Sequence, residues 1–135
     1  AIETAASYLD GQSFSRTGLI KQLKYEGYPA KVATKAVDHL KPDWKKQAAG
    51  QAESYLDGQS FSRKGLIKQL KYEGFTEAQA VHGVNSVNAD WKEQAAKTAE
   101  NYLDGQSFSR SGLISQLEYE GFTHAQAVYG VGQVM

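Results

Sequence analysis

The sequence has no cysteine, only two prolines and no long apolar run. Without cysteine the chain has no disulfide framework, no thiolate metal site and no thiol nucleophile. No apolar stretch approaches the roughly 20 residues that a membrane helix needs. Hydrophobic residues nevertheless make up 41% and charged residues 22% of the 135 residues, which is the balance of a soluble globular protein.

The chain also lacks an excess of charge of either sign, because 15 basic side chains offset 15 acidic ones. The charge drifts along the chain, from +3 over residues 1–47 to −1 over residues 48–94 and −2 over residues 95–135. An array that binds a polyanion is expected to keep positive charge in every unit. The drift therefore argues against a general nucleic-acid-binding surface.

One stretch is present three times without change. Tyr-Leu-Asp-Gly-Gln-Ser-Phe-Ser-Arg occupies residues 8–16, 55–63 and 102–110, at a spacing of 47 residues. A fixed period in this range indicates a repeat array in which each unit buries its apolar side partly against its neighbours. We predict units at residues 1–42, 43–89 and 90–135. The first begins inside a helix and the third stops before its Asp-Trp pair, as expected of an array cut at both ends.

The pattern within a unit predicts three helices. A first helix starts at Asp90, which with Glu93 has an Asp version of the capping-box spacing, and carries an apolar stripe from Trp91 to Leu103. Its equivalents run from Asp43 to about Asp57 and from about Ile2 to Leu9. Because this helix joins consecutive units without a linker, we expect it to be shared between them.

The second and third helices follow from capping signals. Ser62 is a good N-cap for a helix from about Arg63 to Glu73, and Gly74 is expected to end that helix in the left-handed conformation. Thr76 with Gln79 has the capping-box spacing at the start of a third helix. Two short helices joined by a tight glycine turn make a helix-turn-helix. The predicted fold class is therefore all-α, with three tandem helix-turn-helix repeats joined by shared amphipathic helices.

A candidate partner-binding strip lies on the second helix of each unit. Tyr72 points nearly opposite the apolar face of its helix at about 100° per residue, and Gly65 and Lys68 share its side. An aromatic side chain outside the helix core is typical of a contact surface. The alternative is that each tyrosine packs on the shared helix or on the adjacent unit. The hypothesis names these residues as partner-binding: Tyr25, Tyr72, Tyr119, Arg16, Arg63, Arg110, Lys21 and Lys68.

The repeated arginines belong to this strip because each follows a serine cap. A basic residue in the first turn is slightly disfavoured by the helix dipole. Its repetition at Arg16, Arg63 and Arg110 indicates a partner, either an acidic group in a neighbouring helix or one on a ligand.

The residues give little support to enzyme chemistry. His39, His82 and His124 occupy three different positions in the repeat, as scattered surface histidines would. We therefore expect no catalytic residues, no metal site and no cofactor.

Nucleic-acid binding is the first alternative that a helix-turn-helix raises. A recognition helix must offer basic side chains to phosphates and polar ones to base edges. The third helices of the second and third units have neither lysine nor arginine, and only the first unit, with Lys31, Lys35 and Lys41, would be receptive. A cell-wall-binding repeat domain is the second alternative.

The conjunction of motifs resembles a known family. Tyr-Leu, then Phe-Ser-Arg-x-Gly-Leu-Ile-x-Gln-Leu-x-Tyr-Glu-Gly-Phe, an Ala/Val-rich helix and Asp-Trp are similar to the Ltp family of host cell surface-exposed lipoprotein repeats. The resemblance implies a tandem helix-turn-helix module on the surface of a Gram-positive cell, held by a lipidated cysteine that would lie outside this sequence. Phage-encoded members act in superinfection exclusion, blocking the passage of incoming phage DNA. We therefore expect a non-enzymatic protein-interaction module whose partner is a protein such as a phage component.

Overall fold

The computed structural model describes all residues, 1–135, and is entirely helical. Nine helices follow one another without a strand: α1 Ile2–Gly11, α2 Arg16–Tyr25, α3 Ala30–Leu40, α4 Trp44–Gly58, α5 Arg63–Tyr72, α6 Glu77–Ser86, α7 Trp91–Gly105, α8 Arg110–Tyr119 and α9 His124–Val134. The all-α fold class is confirmed. None of these helices combines the length and apolarity needed to span a bilayer.

Each unit of three helices builds its own small core. In the second unit Leu66 and Leu70 of α5 and Val84 of α6 are fully or almost fully buried, together with Ala48 and Ala52 of α4. The other two units repeat this arrangement around Leu19 and Leu23 and around Leu113 and Leu117. Three separate clusters, and not one continuous core, therefore account for the buried apolar surface.

The tight turn between the second and third helices is a Schellman motif in every unit. In the second unit the Phe75 amide donates to the Leu70 carbonyl at 3.1 Å, and the Gly74 amide donates to the Lys71 carbonyl at 3.0 Å. Gly74 has φ of +107°, as the sequence predicts for the residue that ends the helix. Glycine is needed here because side chains with a Cβ resist the left-handed region.

The N-terminal caps agree with prediction with one exception. Thr76 and Gln79 form both hydrogen bonds of a capping box, as do Thr123 and Gln126. The Asp90 side chain accepts from the Glu93 amide at 3.2 Å, but the Glu93 carboxylate lies 3.9 Å from the ammonium of Lys97 and does not return to the cap. The predicted Asp capping box is therefore wrong in its second half, because an i,i+4 charge partner is available to Glu93.

The first helix of a unit also belongs to the unit before it. Trp44, the first residue of α4, packs against the core of the first unit, whereas Ala48 and Ala52 lie in the core of the second. Further along the same helix Gln47 accepts a hydrogen bond from the Phe14 amide at 2.9 Å. The helix α7 repeats these contacts with Trp91 and with Gln94, which accepts from Phe61 at 3.0 Å. The prediction of shared helices is thus confirmed.

A second contact stacks the middle helices of neighbouring units end to end. Ser15, the N-cap of α2, donates from Oγ to the carbonyl of Glu73 at the end of α5 over 2.6 Å. Ser62, the N-cap of α5, donates to the carbonyl of Glu120 at the end of α8 over the same distance. The order α8, α5, α2 therefore forms a column in which each helix C-terminus meets the N-terminus of the next, an arrangement that the helix dipoles favour.

Candidate functional site

The three tyrosines predicted to bind a partner are the most exposed large side chains of the molecule. Tyr25 and Tyr72 are each 87% exposed and Tyr119 is 86% exposed. Each is the last residue of a middle helix, and the turns after Tyr72 and Tyr119 form the two joints. The alternative, that these rings pack on the shared helix or the adjacent unit, is wrong. The same ring is therefore left exposed to solvent at the same place in each of the three units.

The residues that flank each tyrosine are fully used inside the protein. Glu26, next to Tyr25, accepts a hydrogen bond from the Tyr8 hydroxyl, and Gln22 donates to that hydroxyl at 3.1 Å. This bond to the Glu26 carboxylate raises the pKa of the Tyr8 phenol above its ordinary value. The same arrangement links Glu73, Tyr55 and Gln69 in the second unit.

Burial shifts the pKa of one of these carboxylates. Partial burial raises the pKa of Glu73, although the hydrogen bond from Gln51 at 2.9 Å opposes the shift. The residues of the sequence Tyr-Glu-Gly therefore differ in their contacts. The glutamate holds the first helix of the unit and the glycine makes the turn, whereas the tyrosine ring stays exposed.

The glycines beside the strip serve the joints. A Cβ on Gly65 would lie 3.6 Å from the carbonyl oxygen of Glu120 and 2.9 Å from Ser62 Oγ. The backbone that approaches this glycine is thus that of the neighbouring unit. Gly65 thus lies against the adjacent unit and leaves no open space beside the tyrosine strip at this point.

The repeated arginines differ in what they bind. Arg16 forms a two-bond ion pair with the carboxylate of Asp38 at 2.8 and 3.0 Å. Arg63 instead donates two bonds, of 3.1 and 2.9 Å, to the neutral side-chain oxygen of Asn85. Gly132 stands at the corresponding place in the third unit, and Arg110 has no ion pair. Positive charge is therefore neutralised in the first unit and retained in the other two.

The hydrogen bonds from Arg16 also affect its partner. They lower the pKa of the Asp38 carboxyl below its ordinary value. The sequence indicated that an acidic group in a neighbouring helix could pair with the arginine, and this is confirmed for Arg16 alone.

Several predicted residues come together at the joint between the second and third units. A cleft of about 440 Å³ opens there between α5, α6 and the end of α8. Tyr119, Arg63 and Lys68 all line it. Lys64 and Lys71 complete the basic lining, and the sequence interpretation had not counted either as a site residue. Lys64 could not be found by searching for repeated residues because Thr17 and Ser111 replace it in the other units.

The remaining predicted residues are not gathered at one place. Lys21 lies exposed on α2, and Tyr25 lies at the end of the column, with no further unit stacked on it. Arg110 lies in the first turn of α8 at the opposite end of the column. The strip is therefore discontinuous, and only the joint between the second and third units shapes it into a cleft.

No geometry typical of an enzyme active site accompanies the strip. No three histidine, aspartate or glutamate side chains lie close enough together to hold a metal ion. The column of stacked units defines an all-helical repeat protein.

Comparison with known proteins identifies the family. The family model described as Lipoprotein_Ltp, host cell surface-exposed lipoprotein, matches residues 1–40, 43–87 and 90–134. The chain belongs to this family, and each of its three units carries one copy of the family pattern. A search among curated proteins finds no match.

One solved structure supports the same assignment. The structure of Ltp, a superinfection exclusion protein from the Streptococcus thermophilus temperate phage TP-J34, superposes with a TM-score of 0.65 and 25% sequence identity. The superposition covers 70% of this chain and 98% of that one. The share covered here corresponds to about two of the three units.

Proposed function

We propose that this chain is a non-enzymatic interaction module that acts at the surface of a Gram-positive cell and excludes superinfecting phage by binding a phage protein. Two findings support a surface role: membership of a family of host cell surface-exposed lipoproteins and similarity to a phage superinfection exclusion protein. Attachment to the membrane would come from a lipid anchor outside this sequence.

The observation that carries the binding proposal is the exposure of Tyr25, Tyr72 and Tyr119 to between 86% and 87%. Tyrosine supplies large contact area at low entropic cost and is enriched where proteins bind proteins. The glutamate and glycine beside each ring already have roles in the fold, whereas the ring has none. The basic side chains on the same helices, Arg63 and Lys68 above all, would orient a partner by charge.

The test is a phage challenge with matched variants. Streptococcal cells would display the chain through an added lipoprotein signal, and plaques would be counted against cells without it. Replacing Tyr25, Tyr72 and Tyr119 together by alanine is expected to abolish exclusion, because three binding rings are lost. The melting temperature should stay unchanged, since these rings bury little surface.

Tyr129→Ala is the control for this experiment. Tyr129 is 43% exposed and lies outside the strip, where it contacts Lys92 through a cation–π interaction of 5.5 Å. This variant should still exclude phage. Exclusion that survives the triple substitution would refute the binding role of the strip, and exclusion by a chain kept inside the cell would refute the surface role.

A further inference from the structure

The cleft at the joint between the second and third units differs from every equivalent place in the molecule. Its lining residues comprise four basic and two acidic side chains: Arg63, Lys64, Lys68, Lys71, Glu77 and Glu120. Lys71 pairs with Glu77 at 2.5 Å. Neither Lys64 nor Lys68 has an acidic group within ion-pair distance. The cleft therefore holds uncompensated positive charge.

Arg63 adds to that charge because its partner is neutral. The two bonds to Asn85 Oδ1 fix the guanidinium without cancelling its charge. At the equivalent place in the first unit the Asp38 carboxylate cancels the charge of Arg16 at 2.8 Å. The substitution of an amide for a carboxylate thus keeps an oriented cation at the mouth of this cleft.

The other two units do not repeat this set of basic residues. At the joint between the first and second units Lys21 and Lys24 correspond to Lys68 and Lys71, but Thr17 replaces Lys64 and Asp38 neutralises Arg16. In the third unit Ser111, Ser115 and Glu118 replace the three lysines, and no unit stacks on that end. The full set of four basic residues therefore occurs once in the array.

The walls of the cleft also offer apolar contact. Ile67 and Val81 are half-buried in the lining, which also includes the 86% exposed Tyr119. A ligand that fits must combine carboxylates with aliphatic or aromatic side chains. A polyanion such as nucleic acid would gain little from the aliphatic part of these walls and would find all four basic side chains together at one joint only.

We infer that this cleft binds an extended acidic segment of a protein partner, with carboxylates directed to Arg63, Lys64 and Lys68 and an apolar side chain placed against Ile67 and Tyr119. Charge complementarity selects the partner. The inference rests on the proposed function, since it states the chemistry of the phage protein segment that the module would bind.

The test uses fluorescence anisotropy with the intact chain and three labelled probes. The first probe is a peptide of alternating glutamate and leucine, the second alternates lysine and leucine, and the third is a single-stranded oligothymidylate. The acidic peptide is expected to bind, more tightly at about 0.02 M than at about 0.15 M salt, because screening weakens exposed charge pairs. The lysine peptide is not expected to bind.

Two variants test the location of the site by replacing cleft residues with the residues found at the equivalent positions of the other units. The double variant Lys64→Thr with Lys68→Ser is expected to raise the Kd of the acidic peptide about tenfold, which corresponds to about 1.4 kcal/mol. Asn85→Asp would give Arg63 the carboxylate that Arg16 already has, and about a threefold rise in Kd is expected. The control Lys45→Ser, at an exposed position of α4 outside the cleft lining, should leave the Kd unchanged.

Three results would overturn the inference: no binding of the acidic peptide, equal binding by the double variant, or tighter binding of the oligothymidylate that the same variants weaken. The phage assay separates this inference from the proposed function. If displayed chain excludes phage but the acidic peptide does not bind, the cleft inference alone fails. If the peptide binds as described but displayed chain excludes no phage, the proposed function alone fails.

Discussion

Ser62 Oγ donates a hydrogen bond of 2.6 Å to the carbonyl oxygen of Glu120, 58 residues further along the chain. Ser62 Oγ also accepts a hydrogen bond from the Gly65 amide at 2.9 Å. One hydroxyl therefore both caps α5 and links α5 to α8. Ser62 is 4% exposed as a result. A side chain that the sequence presents as a local cap is therefore also the link between two units.

Replacing this serine should separate the two roles. Ser62→Ala loses the cap, worth about 1 kcal/mol, and in addition leaves the Glu120 carbonyl without its donor, worth about another 1 kcal/mol. Ser109→Ala is the matched control because Ser109 caps α8, accepting from Gly112 at 3.0 Å, but touches no further unit. Urea unfolding followed by circular dichroism should show the larger loss for Ser62→Ala. Equal losses would mean that the joint bond contributes nothing.

The turn glycines offer a second measurement of the joint. Gly27 and Gly121 both have φ of +108°, so alanine at either position has to adopt the strained left-handed region. A Cβ at Gly27 meets nothing within 4 Å, whereas at Gly121 it would lie 2.9 Å from the Lys64 Cβ and 2.8 Å from Ser62 Oγ.

We therefore expect Gly27→Ala to reduce the free energy of unfolding by about 1–2 kcal/mol from strain alone. Gly121→Ala should lose about 1–3 kcal/mol more because the two units are forced apart. Thermal unfolding of both variants gives the difference. If Gly121→Ala reduces the free energy of unfolding no more than Gly27→Ala does, the joint accommodates the added Cβ at no cost in stability.

The comparison of these sites explains how much the sequence could predict. Helices, caps and turns follow from local signals, and the left-handed Gly74 and the capping box at Thr76 were both predicted correctly. The threefold repeat of the sequence motif also predicts three units. The caps and turns depend on residues at most five positions apart, where side-chain and backbone geometry fix the outcome.

The joints and the cleft were beyond sequence reasoning for a physical reason. The bond from Ser62 to Glu120 crosses 58 residues, and no periodicity within a helix indicates which carbonyl a serine will reach. The exposure of Tyr72 depends on the relative placement of two units as well as on its helix. The role of Lys64 could not be predicted from the repeat pattern because only the second unit has a lysine at this position.

A third prediction concerns the close approach of helices within a unit. Gly83 lies on the face of α6 against α4, where a Cβ would come within 2.7 Å of the Ala48 Cβ and its carbonyl carbon. Gly83→Ala should therefore destabilise the chain by about 1–3 kcal/mol, even though alanine is the better helix former. Gly132→Ala is the control, since a Cβ at that point of α9 meets open space.

The control should move in the opposite direction. Gly132→Ala is expected to be neutral or to stabilise by up to about 1 kcal/mol, because it lowers the entropy of the unfolded chain without a clash. The midpoint of urea unfolding distinguishes the two. If both alanine variants stabilise the chain, α4 and α6 can separate at little cost and the contact at Gly83 is not tight.

The last prediction uses the difference between the Arg16 and Arg63 pairs. Arg16 holds the pKa of Asp38 below its ordinary value of 3.8, so the folded state releases this proton more readily than the unfolded state. A depressed folded pKa contributes stability that is fully present above the unfolded pKa and is lost as pH falls through the folded pKa. Asp38→Asn gives Arg16 the neutral partner that Arg63 has in Asn85, and that partner does not titrate.

Melting temperatures of the two proteins, measured from neutral pH down to about pH 2, should therefore converge. The wild type should be the more stable at neutral pH, by a small margin because the pair is exposed to screening. The difference in stability should begin to shrink near pH 4 and vanish below the folded pKa of Asp38, where the protonated Asp38 of the wild type and the asparagine of the variant are both neutral. A margin that stays constant over this range would mean that Asp38 acts through hydrogen bonding or packing, which do not require its charge, and that the ion pair adds nothing to the stability of the first unit.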